Sequence, residues 1–144
     1  MNFPPYKSFP VLSNERITLR KVSNADLTDL IEISFYDAVQ AKSIDDAVIM
    51  NNKIELNYLD GDSIHWGITI NNSNAIVGTC GFYRGFDQRT GELGCVLLPK
   101  YYGQGIMTMA LQLAIQFGFN EIGLNRILAI TTKENLKAIK LNLN

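Results

Sequence analysis

The residue types best suited to gripping an anion lie together in Leu97-Leu98-Pro99-Lys100-Tyr101-Tyr102-Gly103-Gln104-Gly105-Ile106-Met107-Thr108. An apolar stretch, Leu93 to Leu98, leads into a turn bounded by Pro99. Gly103 and Gly105 follow, and a helical pattern starts at once. The first amide N–H groups of a helix have no internal partner, and the helix dipole places partial positive charge there. Glycine removes the Cβ that would hold an anion away from the backbone. No Asp or Glu occurs between Glu92 and Glu121, although acids in the first turn would stabilise the helix. Gln104 and Thr108 stand there instead, with Lys100 just before. An external anion fits that arrangement. A tight strand-to-helix turn without a ligand fits it too, because a lone G-x-G does not decide the matter.

Other reactive side chains are few. Glu92 is the one acid near this motif on the preceding strand, and alternation puts it on the same face as Gly94 and Val96. It reads either as a general base or as a solvated glutamate paired with Arg84 or Arg89. His65, the only histidine, neighbours Trp66 on a strand, on the face opposite the apolar residues. Nothing else marks a Ser-His-Asp or Cys-His engine around it. Cys80 and Cys95 fall in neighbouring predicted strands. A bridge between them stays open, but without a secretory signal free buried thiols are the expectation. One histidine and two separated cysteines do not make a zinc set, so no metal is expected. The P-loop's G-K-[ST] is missing after Gly105, and the three-glycine dinucleotide fingerprint is missing as well.

The elements that must position these residues follow from periodicity. Arg16 to Val22 alternates as a strand, with Ile17 and Leu19 on one face. Ser23 with Asp26 opens a helix carrying Leu27, Leu30 and Ile31, and Ser43 with Asp46 opens a second carrying Ile44, Ala47, Ile54 and Tyr58. Phe35 to Lys42 connects them. Strands are expected over 64–70, 76–86 and 90–98, with Asp87-Gln88-Arg89 as a hairpin tip. A broad apolar helix then runs to about Ile122 and stops at Gly123. Arg126 to Thr131 reads as a short buried strand and Glu134 to Asn144 as a last helix. This order predicts one domain, 1–144, of α/β (α+β) class: a mixed, mostly antiparallel sheet with helices on both faces. A net charge of −1 argues against a broad nucleic-acid or anionic-membrane surface. The absence of a signal peptide and of a long apolar run makes a cytoplasmic protein the default expectation.

The stretch Gly91-Glu92-Leu93-Gly94-Cys95-Val96-Leu97-Leu98-Pro99-Lys100-Tyr101-Tyr102-Gly103-Gln104-Gly105-Ile106-Met107-Thr108 resembles the acetyl-CoA-binding motif of the GNAT superfamily of N-acetyltransferases. Within it, Phe117 to Ile127 and Arg16-Ile17-Thr18-Leu19-Arg20 are similar to the branch that acetylates the N-terminal alanine or serine of ribosomal proteins. The resemblance implies transfer of an acetyl group from acetyl-CoA, as co-substrate, directly to a primary amine such as a protein N-terminus. It implies that backbone amides of Gln104, Gly105, Ile106, Met107 and Thr108 hold the CoA pyrophosphate, with Gly103 and Gly105 allowing the approach. Leu97 and Leu98 would pair with the pantetheine arm, and Asn135 would lie near it. Glu92 takes the place of a general base, and Tyr36, His65 and Tyr83, with Phe35 and Phe82 nearby, take places around the acceptor.

Three departures accompany the resemblance. Lys100 replaces the usual Gln or Arg before the glycines. Ala138 replaces a serine that the branch uses toward the departing sulfur. The chain stops at Asn144, where family members continue into a β-hairpin, so either this is a truncated form with an open sheet edge or something else covers that edge; an open edge would favour a homodimer. The last two departures keep a second reading on the page, a non-catalytic or degenerate acyl-CoA-binding protein.

Overall fold

The computed structural model describes residues 1–130 and 140–143. Its centre is an antiparallel meander of β5 (Ile64–Ile70), β6 (Ile76–Tyr83) and β7 (Thr90–Leu97). On one side β2 (Ile17–Lys21) pairs antiparallel with β5, and the two-residue β1 (Leu12–Ser13) pairs with β2. On the other side β8 (Arg126–Ile130) runs parallel to β7, and β9 (Lys140–Leu143) pairs antiparallel with β8. The described sheet therefore has seven strands in the order β1-β2-β5-β6-β7-β8-β9. Parallel neighbours need a crossover, and α2 (Ile106–Phe117) supplies it between β7 and β8.

A separate hairpin, β3 (Phe35–Tyr36) and β4 (Val39–Gln40), fills the connector before α1 (Ile44–Leu59). Its loop residues Asp37 and Ala38 both have positive φ, 52° and 66°, the backbone signature of the two-residue turn that suits strand twist. α1 starts where Ser43 Oγ accepts the Asp46 N–H at 3.1 Å, as its sequence signal requires.

The helix opened by Ser23 is a 3-10 helix, Asn24–Ile33. Its buried residues are Leu27, Leu30 and Ile33. A spacing of three matches the three-residue turn of that helix and puts all of them on one face. The strand expected to reach Phe86 ends at Tyr83, because Arg84 and Gly85 take φ of 70° and 81°. Past α2 the chain adds a wider turn, Gly118–Ile122, and stops at Gly123 with φ 86°, where the Gly123 N–H reaches the Gly118 carbonyl at 3.1 Å.

One expectation is overturned, and one alternative is decided. Residues 140–143, placed in a final helix, form β9, and the polar-apolar alternation Lys140-Leu141-Asn142-Leu143 carries the strand period that the helical reading passed over. β9 covers the edge of β8 that a truncated form would leave open, which removes the ground for a dimer through that edge. Asn135 and Ala138 lie outside the described residues.

The sheet separates two apolar layers. One face packs Trp66, Phe82, Leu93 and Leu97 against Ile106, Ala110, Ala114 and Phe117 of α2. Trp66 and Phe117 meet edge to face, with centroids 5.3 Å apart. Helix and sheet approach so closely at Gly118 that a Cβ there would lie 2.8 Å from Phe82 and Ile127 side-chain atoms. On the other face Val22, Ile76 and Leu98 pack with Leu27, Leu30, Ile33 and Ala47. Phe82, weighed as an acceptor-lining ring against packing in the core, is fully buried in the α2 layer. Cys80 and Phe82 of β6 lie in the α2 layer, leaving Thr79, Gly81 and Tyr83 for the opposite face.

Phe117→Ala is expected to destabilise the fold by about 3–5 kcal/mol, because it removes the ring that seals Trp66 and leaves a cavity. Equilibrium denaturant unfolding measures this; a loss below about 1 kcal/mol would show that α2 re-packs.

Candidate functional site

A cleft of about 730 Å³ lies between the second sheet face and the helical layer. Leu27, Leu30, Ile33, Met50 and Ile54 give it an apolar roof, while Asp37, Asp62, Asp87 and Arg84 stand among its lining. Its floor comes from β5, β6 and β7. Register puts His65 opposite Gly81 and Gly81 opposite Gly94, with Tyr83 opposite Glu92 one step on.

Tyr83 does not stand upright from the sheet. Its ring lies back along β6, 3.4 Å from where a Gly94 Cβ would be, and its hydroxyl is 2.7 Å from where a Gly81 Cβ would be. The two glycines thus make the bed for the ring. The hydroxyl ends 2.6 Å from His65 Nδ1, and the ring centroids are 5.7 Å apart. Burial lowers the His65 pKa to about 4, so at neutral pH the imidazole is uncharged. Burial, followed by the nearby thiols of Cys80 and Cys95, pushes the Tyr83 phenol well up. A protonated Tyr83 and a neutral His65 share this hydrogen bond, its direction set by which imidazole nitrogen carries the proton.

Glu92 borders the same floor. Arg84 Nε lies 3.9 Å from Glu92 Oε2, and both side chains are open to solvent, at 74% and 38%. An ion pair this long and exposed holds its carboxylate loosely. Arg89 is committed elsewhere, donating through Nε and Nη2 to the Gly123 carbonyl at 3.2 and 2.8 Å. At the connector, Tyr36 lines the cleft; its hydroxyl accepts from Asn57 Nδ2 at 3.0 Å, and Lys53 Nζ sits 5.3 Å from its ring centroid.

On the far side of β7 the described pairing with β8 runs from Thr90 with Arg126 to Gly94 with Ile130, and β7 itself continues to Leu97. The Leu98 N–H bonds the Val77 carbonyl at 2.9 Å and the Leu98 carbonyl accepts from Tyr101 at 2.9 Å. Alternation then turns the Leu97 N–H and C=O toward the β8 side, where no described residue pairs with them. Leu97 and Leu98 were expected to pair with a pantetheine arm; both backbone groups of Leu98 are engaged within the protein.

The glycine turn follows directly. Gly103 and Gly105 have φ of 76° and 79°. A Cβ at Gly103 would meet nothing within 4 Å, and one at Gly105 would meet only Arg16 Nη1 at 3.9 Å. Gly105 caps α2 with no side-chain cap, and no acid stands in the first turn. The amides of Ile106, Met107 and Thr108 thus open the helix with positive dipole outward. The position has the clearance and polarity that a phosphate requires. Arg16 was not singled out from sequence. Its Nη1 donates to the Gln104 carbonyl at 2.8 Å and ties the turn to the start of β2. No local signal links two residues 88 apart.

Comparison with known proteins decides the family. The model of the acetyltransferase (GNAT) domain matches residues 16–142. The chain belongs to the GNAT acetyltransferases. A Bacillus licheniformis protein named as an uncharacterised N-acetyltransferase, p20, is 33% identical over 145 residues, covering 90% of this chain and 78% of that one. An acetyltransferase of the GNAT family from Bacillus anthracis superposes with a TM-score of 0.70 at 26% identity, over 88% and 76% of the two chains. RimL, a ribosomal L7/L12 alpha-N-protein acetyltransferase solved with coenzyme A, shares the fold at a TM-score of 0.71 and 16% identity, over 84% and 74%. These matches make the protein an acetyl-CoA-dependent acetyltransferase, and they do not favour a non-catalytic acyl-CoA binder. No described helix is long and apolar enough to cross a membrane, and no group of metal-ligating side chains occurs among the described residues.

In this GNAT chain His65 should make stability depend on acid. Its folded pKa, about 4, lies below the ordinary 6.5, so between those values the unfolded chain binds a proton that the native ring refuses. Stability is expected to fall as pH drops from 6.5 toward 4. Thermal melting of His65→Gln should show a flatter profile over that window; an identical profile would show that His65 titrates normally.

Proposed function

We propose that the chain moves the acetyl group of acetyl-CoA directly to the N-terminal amine of a polypeptide held in the cleft. The observation that carries this reading is the position of β7. Its cleft face offers Glu92 beside Tyr83, and its edge at Leu97, unpaired among the described residues, leads into the glycine turn, so one strand separates an amine site from a CoA site.

In this reading the amides of Gln104 to Thr108 hold the pyrophosphate, with Gly103 and Gly105 leaving the backbone bare. The Leu97 N–H and C=O pair with the pantetheine amides as another strand would. The carboxylates of Asp37, Asp62 and Asp87 draw an ammonium to the cleft mouth. Glu92 takes a proton from that ammonium, directly or through a water. The amine nitrogen then bonds the acetyl carbon, the adduct gives up its second N–H proton to solvent, the carbon–sulfur bond breaks, and the leaving thiolate takes a proton from solvent. Backbone N–H groups near Leu97 face the carbonyl oxygen as it gains charge. Tyr36, His65 and Tyr83 shape the acceptor side. The apolar roof and the cleft volume suit the first side chains of an extended terminus. A shared fold with RimL, which carries that acceptor in its name, supports the choice.

Initial-rate kinetics with acetyl-CoA and a panel of N-terminal peptides test the reading. Sequential kinetics are expected, and Glu92→Gln should lower kcat by about 10²–10⁴-fold, the usual worth of a positioned base, with acetyl-CoA affinity kept. Ping-pong kinetics, or wild-type rates for Glu92→Gln across pH, would sink it. A calorimetric titration probes the other half of the site. Arg16→Ala should weaken acetyl-CoA binding by roughly three- to tenfold, the worth of one exposed hydrogen bond holding the turn. An unchanged Kd would show that the turn is held without it.

A further inference from the structure

Ser63 is 3% exposed, lines the cleft, and its hydroxyl oxygen is buried with no hydrogen-bond partner among the described residues. It precedes β5 and, by alternation, shares the cleft face with His65. Ile64 pairs with Phe82, so the antiparallel register places Ser63 opposite Tyr83, and Tyr83 is opposite Glu92. The three residues therefore form one row across three strands. The Tyr83 side chain leaves that row, because its ring lies back over Gly81 and Gly94 with its hydroxyl on His65. What remains is a buried hydroxyl at one end and a carboxylate at the other, two strand spacings or about 9.5 Å apart.

A buried hydroxyl without a partner is disfavoured in the free protein, and a ligand group that satisfies it recovers the loss. Ser63 can donate and accept, so it suits an amide N–H or C=O. An extended chain covers at most about 3.3–3.6 Å per residue, so about 9.5 Å corresponds to three residues. We propose that Ser63 is a main-chain recognition point for the acceptor: with the N-terminal amine at Glu92, an extended terminus crosses the floor and brings the amide at its third residue to Ser63 Oγ. This rests on the amine-acetyltransferase reading above and narrows its acceptor to an unfolded polypeptide terminus of at least three residues. Ser63 serves as a binding and specificity residue, apart from the proton transfer at Glu92.

Ser63→Ala and Ser63→Thr test this in two ways. In melting of the free protein, Ser63→Ala should match or exceed the wild-type Tm, because the hydroxyl it deletes makes no bond. A Tm lower by several degrees would mean that Ser63 is structurally bonded and would overturn the proposal. In kinetics with Ala- or Ser-initiated peptide amides of one, two, three and four residues, wild-type kcat/KM should rise about tenfold at the third residue, the discrimination that one hydrogen bond supplies. Ser63→Ala should erase that step through KM, and Ser63→Thr should keep it. Rates independent of length, or the same step in Ser63→Ala, would overturn the proposal while acetyl transfer itself stands. Turnover of spermidine without turnover of any peptide would overturn the polypeptide class. Failure of every peptide and of spermidine to take the acetyl group would overturn the transfer reading.

Discussion

Backbone amides must be paired wherever water is excluded, and this fold leaves a contiguous set of them without a partner in its described residues. β7 pairs with β6 from Glu92 to Leu97, and its described pairing with β8 covers Thr90 to Gly94. The Leu97 edge and the first turn of α2 follow in quick succession. Their adjacency is a consequence of topology. β7 and β8 are parallel, so the chain must cross over through a helix, and the helix must begin where β7 ends. The positive-φ conformations at Gly103 and Gly105 fold the connection tightly enough that the amides of α2 open beside that strand edge. Arg16, anchored at the start of β2, holds the Gln104 carbonyl from outside. Each feature is ordinary alone. Together they put donors along a line that a long, phosphate-ended ligand can follow.

The two faces of the same three strands differ because their side chains have different tasks. The α2 face is built from large apolar residues that close the core. The cleft face is built from small ones at its centre, and Gly81 and Gly94 let an aromatic ring lie flat instead of standing up into the cleft. A Cβ at Gly81 would crowd the Tyr83 hydroxyl off its place beside His65, whereas one at Gly94 would rest against the ring in ordinary contact. The pair is thereby stored within the floor, uncharged at neutral pH on the imidazole side, and the charges of the site stay at Glu92 and the rim. A neutral floor under an acidic rim attracts a cation to the cleft without holding it at the floor itself.

Much of this was legible from residue order, and what was missed shares a cause. The strands, α1, α2, the glycine turn and the capping pair Ser23–Asp26 are local patterns, so periodicity and turn chemistry expose them. Leu98 was misjudged because the partner of its N–H, Val77, comes from another strand. Ser63 went unremarked because a serine just before a strand resembles any other until register shows Tyr83 turned away from it. The 3-10 helix and β9 were legible in principle: spacings of three at Leu27, Leu30 and Ile33, and of two over 140–143, stood in the sequence beside the helical readings that were preferred.

The placement of the cysteines bears on how the acetyl group moves. A route through an acetylated enzyme needs a nucleophile on the cleft side that ionises readily. Cys80 and Cys95 are free and buried, opposite one another in register, and their side chains belong to the α2 layer. Hydrogen bonding to Cys95, then burial, pushes the Cys80 thiol well above its ordinary range. A thiol so placed is both on the wrong face and in the wrong protonation state to attack a thioester lying along the β7 edge. His65, the chain's only histidine, has its Nδ1 occupied by Tyr83 and cannot activate either thiol through the sheet. The described site thus contains no pair able to carry the acetyl group, whereas it does contain a carboxylate, Glu92, on the strand along whose edge the thioester would lie. Direct attack by the amine is the route for which this arrangement supplies the parts.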